Sequence, residues 1–279
     1  MGIVNVTPDS FSDGDPAMTP ARALATCERL VRQGAHILDL GGESSRPGAE
    51  PVPLDVELAR VLPVVAGAVT LGVPVSVDSA KPEVMRAALD LGADIVNDIG
   101  ALRVPGALEA VAGHPSCGVV LMHMRGVPRS MQAGEPDYGD VVTEVRDFLA
   151  ERAGVAERAG IARGRIVVDA GIGFGKTPAH NLALLARQGE LCDGALPPLL
   201  AGWSRKSTLV QLAGLKGVPR GQRTAEQQAS VDAASVAAAV LAVERGAVIV
   251  RVHAVAATVA ALALQAAVRP VPRPNNPGP

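Results

Sequence analysis

The sequence predicts an α/β fold, a (β/α)8 TIM barrel, from three observations. Six segments repeat one design, in which a glycine precedes a short apolar run that stops at a polar residue; they span residues 34–39, 72–78, 92–97, 118–123, 164–169 and 246–251. Two further apolar segments, residues 1–6 and 198–202, bring the number of predicted strands to eight. Helical periodicity lies between several of them. A glycine suits the left-handed position after a helix, and a continuous apolar run suits a strand buried on both faces.

Each predicted strand ends at residues that can carry chemistry. In chain order, the strand ends present Asn5, Asp39, Asp78, Asn97, His123, Asp169, the run Ser204-Arg205-Lys206, and Arg251. A barrel of this kind keeps its site at the carboxyl ends of its strands. The sequence therefore predicts one site to which all eight strands contribute.

The segments between the strands carry helical signals. Thr19-Pro20 resembles an N-cap followed by proline at the first helical position. Apolar residues recur on one helical face at positions 84, 85, 88 and 89, and again at 141, 142, 145, 148 and 149. These patterns predict helices in alternation with the strands.

Three connections that follow strands are longer than a strand-to-helix turn requires. They cover residues 7–18, 41–53 and 124–136 and are rich in Gly, Pro and Ser. Long loops on this face of a barrel are usually lids or binding loops. Phe11, Phe174 and Trp203 lie in or beside strand-end loops, although the chain has only 2% aromatic residues. This placement suggests packing against a flat ligand, while a core-capping role stays open for Trp203.

The composition indicates one barrel domain over residues 1–268, because no linker divides the 279 residues. Residues 269–279 are Pro-rich and are expected to be a disordered tail. A net charge of −2 without a basic block argues against a nucleic-acid partner. No segment is strongly apolar over the roughly 20 residues that a membrane span needs. Three scattered cysteines and the lack of a visible secretory signal favour a cytoplasmic location.

The glycine-rich run from Gly171 to Thr177 invites comparison with a phosphate-binding P-loop. The P-loop pattern needs a glycine at position 170, where this chain has Ala170. Asp169 would also place a carboxylate against the phosphate oxygens. The run is better interpreted as a glycine loop that lets a flat ligand approach Asp169.

Carboxylates and one amide are expected to converge in the barrel mouth, namely Asp39, Asp78, Asp169 and Asn97. Such a set can bind a metal, act as acid and base, or accept hydrogen bonds from an amidine-like ring edge. Metal cages normally include histidine, and neither HxH nor HExxH occurs. A carboxylate that accepts two parallel N–H bonds is the natural partner of an aminopyrimidine edge.

Positive side chains also follow the strands, and they are Arg46, Arg205, Lys206, Arg251 and His253. Such a group suits phosphate or diphosphate. Ser204 and Ser207 could donate to a carboxylate or a phosphate. Asn5 offers a neutral oxygen ligand for Mg²⁺ that phosphates chiefly hold.

The motifs that contain these residues resemble those of dihydropteroate synthases, in that family's order and spacing. The similar segments are residues 2–14, 41–48, 75–79, 96–98, 121–124, 171–176, 204–207 and 251–253. The first two, Gly2-Ile-Val-Asn-Val-Thr-Pro-Asp-Ser-Phe-Ser-Asp-Gly14 and Gly41-Gly-Glu-Ser-Ser-Arg-Pro-Gly48, are long and specific. The resemblance implies a folate-pathway transferase. It would join 6-hydroxymethyl-7,8-dihydropterin diphosphate to 4-aminobenzoate, giving 7,8-dihydropteroate and diphosphate.

The resemblance also implies a role for each candidate residue. The pterin set is Asp78, Asn97, Met122, Asp169 and Lys206, with Asp169 accepting ring N–H and amino donors. The diphosphate and Mg²⁺ set is Asn5, Arg251 and His253. Mobile loops that close over aminobenzoate would contribute Phe11, Asp13, Ser45, Arg46 and Pro47, with Phe174 and Ser207 against its ring and carboxylate.

The implied reaction is dissociative, so the bond to diphosphate breaks before the amine attacks. The residues implied to act on the reacting charges are Asp13, Arg46, Lys206, Arg251 and His253. The chain has Ala170 and Ala254 where the family usually has proline and aspartate. A homodimer that packs through residues 225–243 is also implied. A non-catalytic pterin-binding paralogue and a pterin- or folate-dependent methyltransferase barrel remain alternatives.

Overall fold

The computed structural model describes residues 1–7, 19–45, 48–126, 131, 134 and 136–268, and eight parallel strands among them form one sheet in chain order. The strands are β1 (Gly2–Asn5), β2 (Leu38–Gly41), β3 (Val75–Asp78), β4 (Ile95–Asp98), β5 (Gly118–Met122), β6 (Ile166–Asp169), β7 (Leu199–Ala201) and β8 (Ile249–Val250). The sheet closes after β8, where the Ile3 amide donates to the Val252 carbonyl (3.0 Å) and the Val252 amide to the Met1 carbonyl (2.9 Å). The predicted TIM barrel is confirmed.

Helices follow the strands and surround the barrel. They are α1 (Pro20–Arg32), α2 (Leu54–Ala68), α3 (Pro82–Asp90), α4 (Ala107–Ala112), α5 (Val141–Arg158), α6 (Pro178–Ala186), α7 (Ser207–Leu212), α8 (Ala225–Glu244) and α9 (Val255–Ala267). As predicted, Thr19 caps α1, and its side chain accepts the Arg22 amide at 3.3 Å. Thr177 and Thr224 begin α6 and α8 through reciprocal capping boxes. The two helical faces read from the sequence lie in α3 and α5, so both helices are confirmed.

The glycines that precede the six patterned strands do not all have the predicted conformation. Gly34, Gly72, Gly92 and Gly246 have the left-handed backbone expected after a helix. Gly118 is instead the first residue of β5, and Gly164 lies in a 3-10 turn before β6. The pattern therefore located the strands although it arises from two different local structures.

The position of Asp39 differs from the sequence expectation that it ends its strand. β2 continues to Gly41, and Asp39 pairs in register with Ile3 and Ser76, one layer below the pair of Gly41 and Asp78. The Asp39 side chain is 0% exposed. The apolar run in the sequence stops at Asp39 and therefore predicts that the strand ends there. The strand continues because Arg251 neutralises this carboxylate, which can then stay buried within it.

The core is one large cluster of small aliphatic side chains between the strands and the helices. Trp203 is 2% exposed and belongs to this cluster, so the core-capping role is the correct one for it. Phe174 belongs to a separate cluster at the strand ends, with Met122, Met124 and Met131. The main core thus fills the space between the strands and the helices, while the second cluster contributes an apolar wall near the predicted site.

Several sequence predictions concern residues that the structure does not describe. The Pro-rich tail, residues 269–279, lies outside the described residues, and the three long strand-end loops are described only in part. Cys27, Cys117 and Cys192 are free thiols. Within the described ranges, no helix combines the length and the hydropathy that crossing a membrane requires.

Leu121 provides a test of the core. It lies in β5 and is 0% exposed, so Leu121→Ala should lower the free energy of unfolding by about 2–5 kcal/mol, because a cavity replaces a buried side chain. Leu212 on α7 is 63% exposed, and Leu212→Ala should change that free energy by less than about 0.5 kcal/mol. Urea unfolding followed by tryptophan fluorescence measures both variants. Equal losses would contradict the placement of Leu121.

Candidate active site

A narrow cleft opens at the carboxyl ends of the strands. Register places Asp78 beside Asn97 and Met122 beside Asp169. The cleft is lined by Ser45, Asp78, Asn97, Met122, Asp169, Phe174, Lys206 and Arg251, together with Ile3, Ile99, Ile172 and Gly202. The structure therefore brings together all five residues of the pterin set. It also places Ser45 and Phe174 in the same cleft.

Arg251 forms an ion network across the barrel mouth. Its Nε donates to Asp39 Oδ2 at 2.5 Å, and its Nη2 donates to Asp78 Oδ2 at 2.6 Å. Asn97 Nδ2 also donates to Asp39 Oδ2, at 3.3 Å. Burial by itself lowers the pKa of Arg251, but the two carboxylates outweigh it and raise that pKa above its ordinary value. Arg251 is thus a permanent cation that neutralises two carboxylates.

Asp78 belongs both to this network and to the cleft. Desolvation raises the pKa of its carboxyl above the ordinary value, and Arg251 opposes that effect. The side chain remains 16% exposed. A carboxylate in this position can therefore accept hydrogen bonds from a ligand while it stays next to Arg251.

Asp169 is held at the end of β6 by the loop that follows. Its Oδ1 accepts the Gly171 amide at 2.7 Å, and its Oδ2 lies toward Gly202, which also lines the cleft. Burial raises the pKa of Asp169, and the Gly171 hydrogen bond and the positive charge of Lys206 oppose the increase. Because the backbone fixes one oxygen, the carboxylate presents a defined edge to a ligand with paired N–H donors.

Lys206 and Phe174 face each other in the cleft. Lys206 Nζ lies 4.1 Å from the centroid of the Phe174 ring, which is a cation–π distance. Burial lowers the pKa of Lys206 to about 8, although Asp169 acts in the other direction. At neutral pH Lys206 is therefore still protonated in most molecules, and its ammonium group can donate to a carbonyl oxygen or a ring nitrogen. The ring of Phe174 adds a flat apolar surface beside this cation.

The glycine loop between β6 and α6 packs directly against the end of β5. Gly171 and Gly175 have left-handed backbones, with φ of 66° and 62°. A Cβ atom at Gly171 would collide with the carbonyl oxygen of His123, and one at Gly175 would lie 2.6 Å from the carbonyl oxygen of Arg125. Lys176 points into the protein and is buried. The loop is therefore a wall of the cleft, in agreement with its departure from the P-loop pattern.

A wider cleft of about 560 Å³ adjoins the narrow one, and Asp78, Lys206 and Arg251 line both. Three more predicted site residues, Asn5, Ser207 and His253, line the wider cleft. Arg205, Arg220 and Arg223 lie in the same wall. The positive side chains make this cleft suitable for an anionic ligand.

Ser204 and Arg205, which precede Lys206, have partners that the sequence did not reveal. Arg205 donates to both carboxylate oxygens of Asp232 on α8, at 2.6 and 2.8 Å. Ser204 Oγ lies 2.9 Å from His253 Nδ1 and accepts the His253 amide at 3.1 Å. Arg205 thus links two segments of the fold, and Ser204 orients His253, whereas the sequence suggested that both contact an anion. The Ser204 contact also holds His253 although Ala254 provides no carboxylate.

Four predicted site residues, Phe11, Asp13, Arg46 and Pro47, lie outside the described residues. In the part of the chain that is described, no cluster of three or more His, Cys, Asp or Glu side chains could hold a metal ion.

Sequence reasoning missed two groups of charged residues beside the cleft. Lys176 closes the glycine motif, and nothing in the pattern showed that its side chain is buried. Lys81 forms ion pairs with Glu43 and Glu57, which join the connections after β2 and β3 to α2. The adjacency of β2 and β3 could have indicated the second group, since Glu43 and Lys81 follow neighbouring strands.

Comparisons with known proteins agree with the resemblance seen in the sequence motifs. The chain matches the pterin binding enzyme family over residues 1–253. Dihydropteroate synthase from Neisseria meningitidis serogroup C is 48% identical over 265 residues, which cover 94% of this chain and 89% of that protein.

Two solved structures are similar over almost the whole chain. Xanthomonas albilineans dihydropteroate synthase with 4-aminobenzoic acid has a TM-score of 0.86 and 50% identity, covering 97% of this chain and 93% of that chain. Burkholderia cenocepacia dihydropteroate synthase complexed with 7,8-dihydropteroate has a TM-score of 0.83 and 53% identity, covering 96% of this chain and 90% of that chain.

The close approach of the glycine loop can be tested at Gly171. Gly217 also has a left-handed backbone (φ 82°), but a Cβ there would meet nothing within 4 Å. Gly217→Ala should therefore cost about 1–2 kcal/mol of stability from backbone strain alone. Gly171→Ala should cost clearly more, because the His123 carbonyl must also move. Urea unfolding of both variants measures the difference, and equal losses would contradict the packing of the loop on β5.

Proposed function

The chain belongs to the family of pterin-binding enzymes, and we infer from its strand-end clefts that it acts as a dihydropteroate synthase. It is a transferase of folate biosynthesis that joins 6-hydroxymethyl-7,8-dihydropterin diphosphate to 4-aminobenzoate, with release of diphosphate. The observation that carries this function is the adjacency of the two clefts. A narrow cleft with carboxylate and ammonium groups meets a wider, positively charged one at Asp78, Lys206 and Arg251.

We propose that the pterin ring occupies the narrow cleft. Asp169 would accept the paired N–H donors of the aminopyrimidine edge, and Lys206 would donate to the ring carbonyl and a ring nitrogen. Asp78 and Asn97 would bind the remaining polar atoms of the ring. Met122, from the cluster at the strand ends, supplies apolar surface for a face of the ring.

We propose that the diphosphate lies in the wider cleft, near Arg251 and His253. The guanidinium of Arg251 has five N–H donors, and the contacts to Asp39 and Asp78 use Nε and Nη2. The other donors are suited to a diphosphate oxygen. When Asp78 binds the pterin, its hold on Arg251 would weaken, so more of the positive charge would be available to the anion. Arg46, outside the described residues, is proposed to act beside them.

We propose Mg²⁺ as the cofactor. The proposal that Mg²⁺ fits this site rests on Asn5, which lines the wider cleft and whose side chain can offer a neutral oxygen ligand. The scarcity of metal ligands among the described residues agrees with an ion that is held mainly by substrate phosphates. When bound, Mg²⁺ would neutralise charge on the leaving diphosphate.

The second substrate, 4-aminobenzoate, is proposed to bind between Phe174 and Ser207. Ser207 is exposed in the wider cleft, where its hydroxyl could donate to the carboxylate of the substrate. Ser45 lines both clefts and so adjoins both proposed substrates. Phe11, Asp13 and Pro47 are proposed to complete this pocket.

We propose a dissociative reaction. The C–O bond to diphosphate breaks first, and the pterin ring stabilises the resulting methylene cation. Arg251 and His253 would stabilise the leaving charge as it develops, which is usually the largest contribution to catalysis. Asp13 would face the cation. The amine of 4-aminobenzoate then attacks the cation and loses one proton, which the released diphosphate can accept, and no covalent bond to the enzyme is required.

We also propose a homodimer and a cytoplasmic location. Leu241 on α8, Val248 before β8 and Leu264 on α9 are exposed apolar residues on neighbouring elements, which supports a second copy as their partner. Three free thiols are typical of a protein from a reducing compartment.

A product assay tests the function. The protein is incubated with each substrate alone and with both, with and without Mg²⁺, and diphosphate and 7,8-dihydropteroate are quantified. We expect both products only when both substrates and Mg²⁺ are present. Binding of the pterin without turnover would favour the non-catalytic paralogue, and methyl transfer from a folate would favour the methyltransferase barrel.

Asp169→Asn should weaken binding of the pterin diphosphate by about five- to 150-fold. The amide keeps an oxygen for the Gly171 amide, but its NH2 group would face N–H donors of the ring. An unmatched buried polar pair costs about 1–3 kcal/mol, and each 1.4 kcal/mol corresponds to about tenfold in affinity. Isothermal titration measures the loss, with inorganic diphosphate as the control ligand, whose affinity should not change. Unaltered pterin affinity would show that the ring is bound elsewhere.

A further inference from the structure

Lys176 is a buried lysine to which the reaction above assigns no role. It lies between the glycine loop and α6 and is 2% exposed. A lysine is almost never buried to this extent unless partners compensate its charge. Its surroundings should therefore explain why a lysine is kept at this position.

The amino group of Lys176 contacts four acceptors on two segments. Nζ lies 2.8 Å from His123 Nδ1 and donates to the carbonyl oxygens of Gly171 (3.1 Å), Phe174 (3.2 Å) and His123 (3.4 Å). Two of these acceptors belong to the residue that follows β5, and two belong to the glycine loop. Lys176 thus ties the loop that carries Phe174 to the end of β5.

Both ionisable partners of this contact have pKa values that burial lowers. Burial, and then the charge of Lys176, lower the pKa of His123 to about 3, so its ring is neutral at physiological pH and Nδ1 can accept. The ring packs edge-on against Phe148, with centroids 4.9 Å apart. Burial lowers the pKa of Lys176 to about 7, while Asp169 acts against that decrease and Lys206 adds to it.

Other side chains hold the remaining polar groups of the loop. The Tyr138 hydroxyl donates to the Gly175 carbonyl at 3.0 Å, and the Gly173 amide donates to Asn181 Oδ1 at 2.9 Å. Asn181 Nδ2 in turn donates to Thr208 Oγ1 at 3.0 Å, on the helix that follows Lys206. Among these contacts, the one from Lys176 is the contact made directly to the backbone of Phe174.

We propose that Lys176 is a positioning residue: by fixing the carbonyl of Phe174, it holds the Phe174 ring beside Lys206 and so shapes the wall against which 4-aminobenzoate binds. The proposal rests on the proposed function. The backbone positions of the polar residues of the pterin set, Asp78, Asn97 and Asp169, are fixed by the strands, and only the Asp169 carboxylate also accepts an amide of the loop, that of Gly171. Loss of Lys176 should therefore affect the second substrate much more than the pterin.

The test compares Lys176→Met, which removes the donors but keeps a similar length, with Lys216→Met, which changes an exposed lysine in the loop after α7. We expect the KM for 4-aminobenzoate to rise at least tenfold in Lys176→Met. The Kd for the pterin diphosphate, measured by titration calorimetry, should change less than threefold. Amide hydrogen exchange of residues 171–177 should be at least tenfold faster. Lys216→Met should match the wild type in all three measurements.

Two outcomes would overturn the proposal. If KM and Kd rise by the same factor, Lys176 supports the whole site and not Phe174 in particular. If only the thermal stability falls while both constants stay unchanged, the role is structural alone. If Lys176→Met does not fold, Lys176→Gln replaces it, because the amide keeps a donor for one carbonyl. In that variant the KM for 4-aminobenzoate should still rise more than the Kd for the pterin diphosphate, by a smaller factor than in Lys176→Met.

Failure of the proposed function would be visible separately. A wild-type protein that forms no dihydropteroate would refute the function before any variant is compared. The hydrogen-exchange comparison would still report whether Lys176 fixes the loop, because it needs no substrate.

Discussion

The charge balance around Arg251 is the interaction on which the rest of the site depends. Asp39, Asp78 and Arg251 come from β2, β3 and the segment after β8, and the guanidinium joins them with contacts of 2.5 and 2.6 Å. An ionised group is costly to bury unless it is paired, and removing one partner leaves the other uncompensated. The same contacts join the last strand to the second and third across the barrel mouth. The network therefore makes it possible for one barrel to bury carboxylates and still present them to a ligand.

The two parts of the site are held in different ways, and this difference fits the proposed roles. Asp78, Asn97 and Asp169 are strand residues, so the parallel hydrogen-bond ladder sets their spacing. Phe174 belongs to a loop whose backbone is fixed by side chains from several other elements. The geometry of the strand residues follows from the fold, whereas that of the loop depends on individual polar contacts. A rigid ring site beside a more adaptable second site suits a reaction that joins two substrates.

The balance of charge also differs between the clefts. The narrow cleft combines carboxylates with Lys206 and Arg251, and the wider one carries further arginines in its wall. A ligand with N–H donors at one end and an anion at the other matches this arrangement. Lys206, whose pKa burial lowers to about 8, lies where the two clefts meet. The substrate inferred from the resemblance has this distribution of groups.

The sequence by itself determined the barrel and the convergence of Asp78, Asn97 and Asp169, because buried parallel strands appear as repeated apolar runs and strand ends meet at one edge. Local chemistry also fixed the predicted helix start at Thr19. Only the tertiary structure decided the partners of Asp39, Arg205 and Lys176. Among those partners, Arg251, Asp232 and His123 lie on segments distant in the chain, and a pattern of neighbouring residues contains no information about such contacts. The same reason explains Trp203, whose burial depends on what packs around it and not on its own position after a strand.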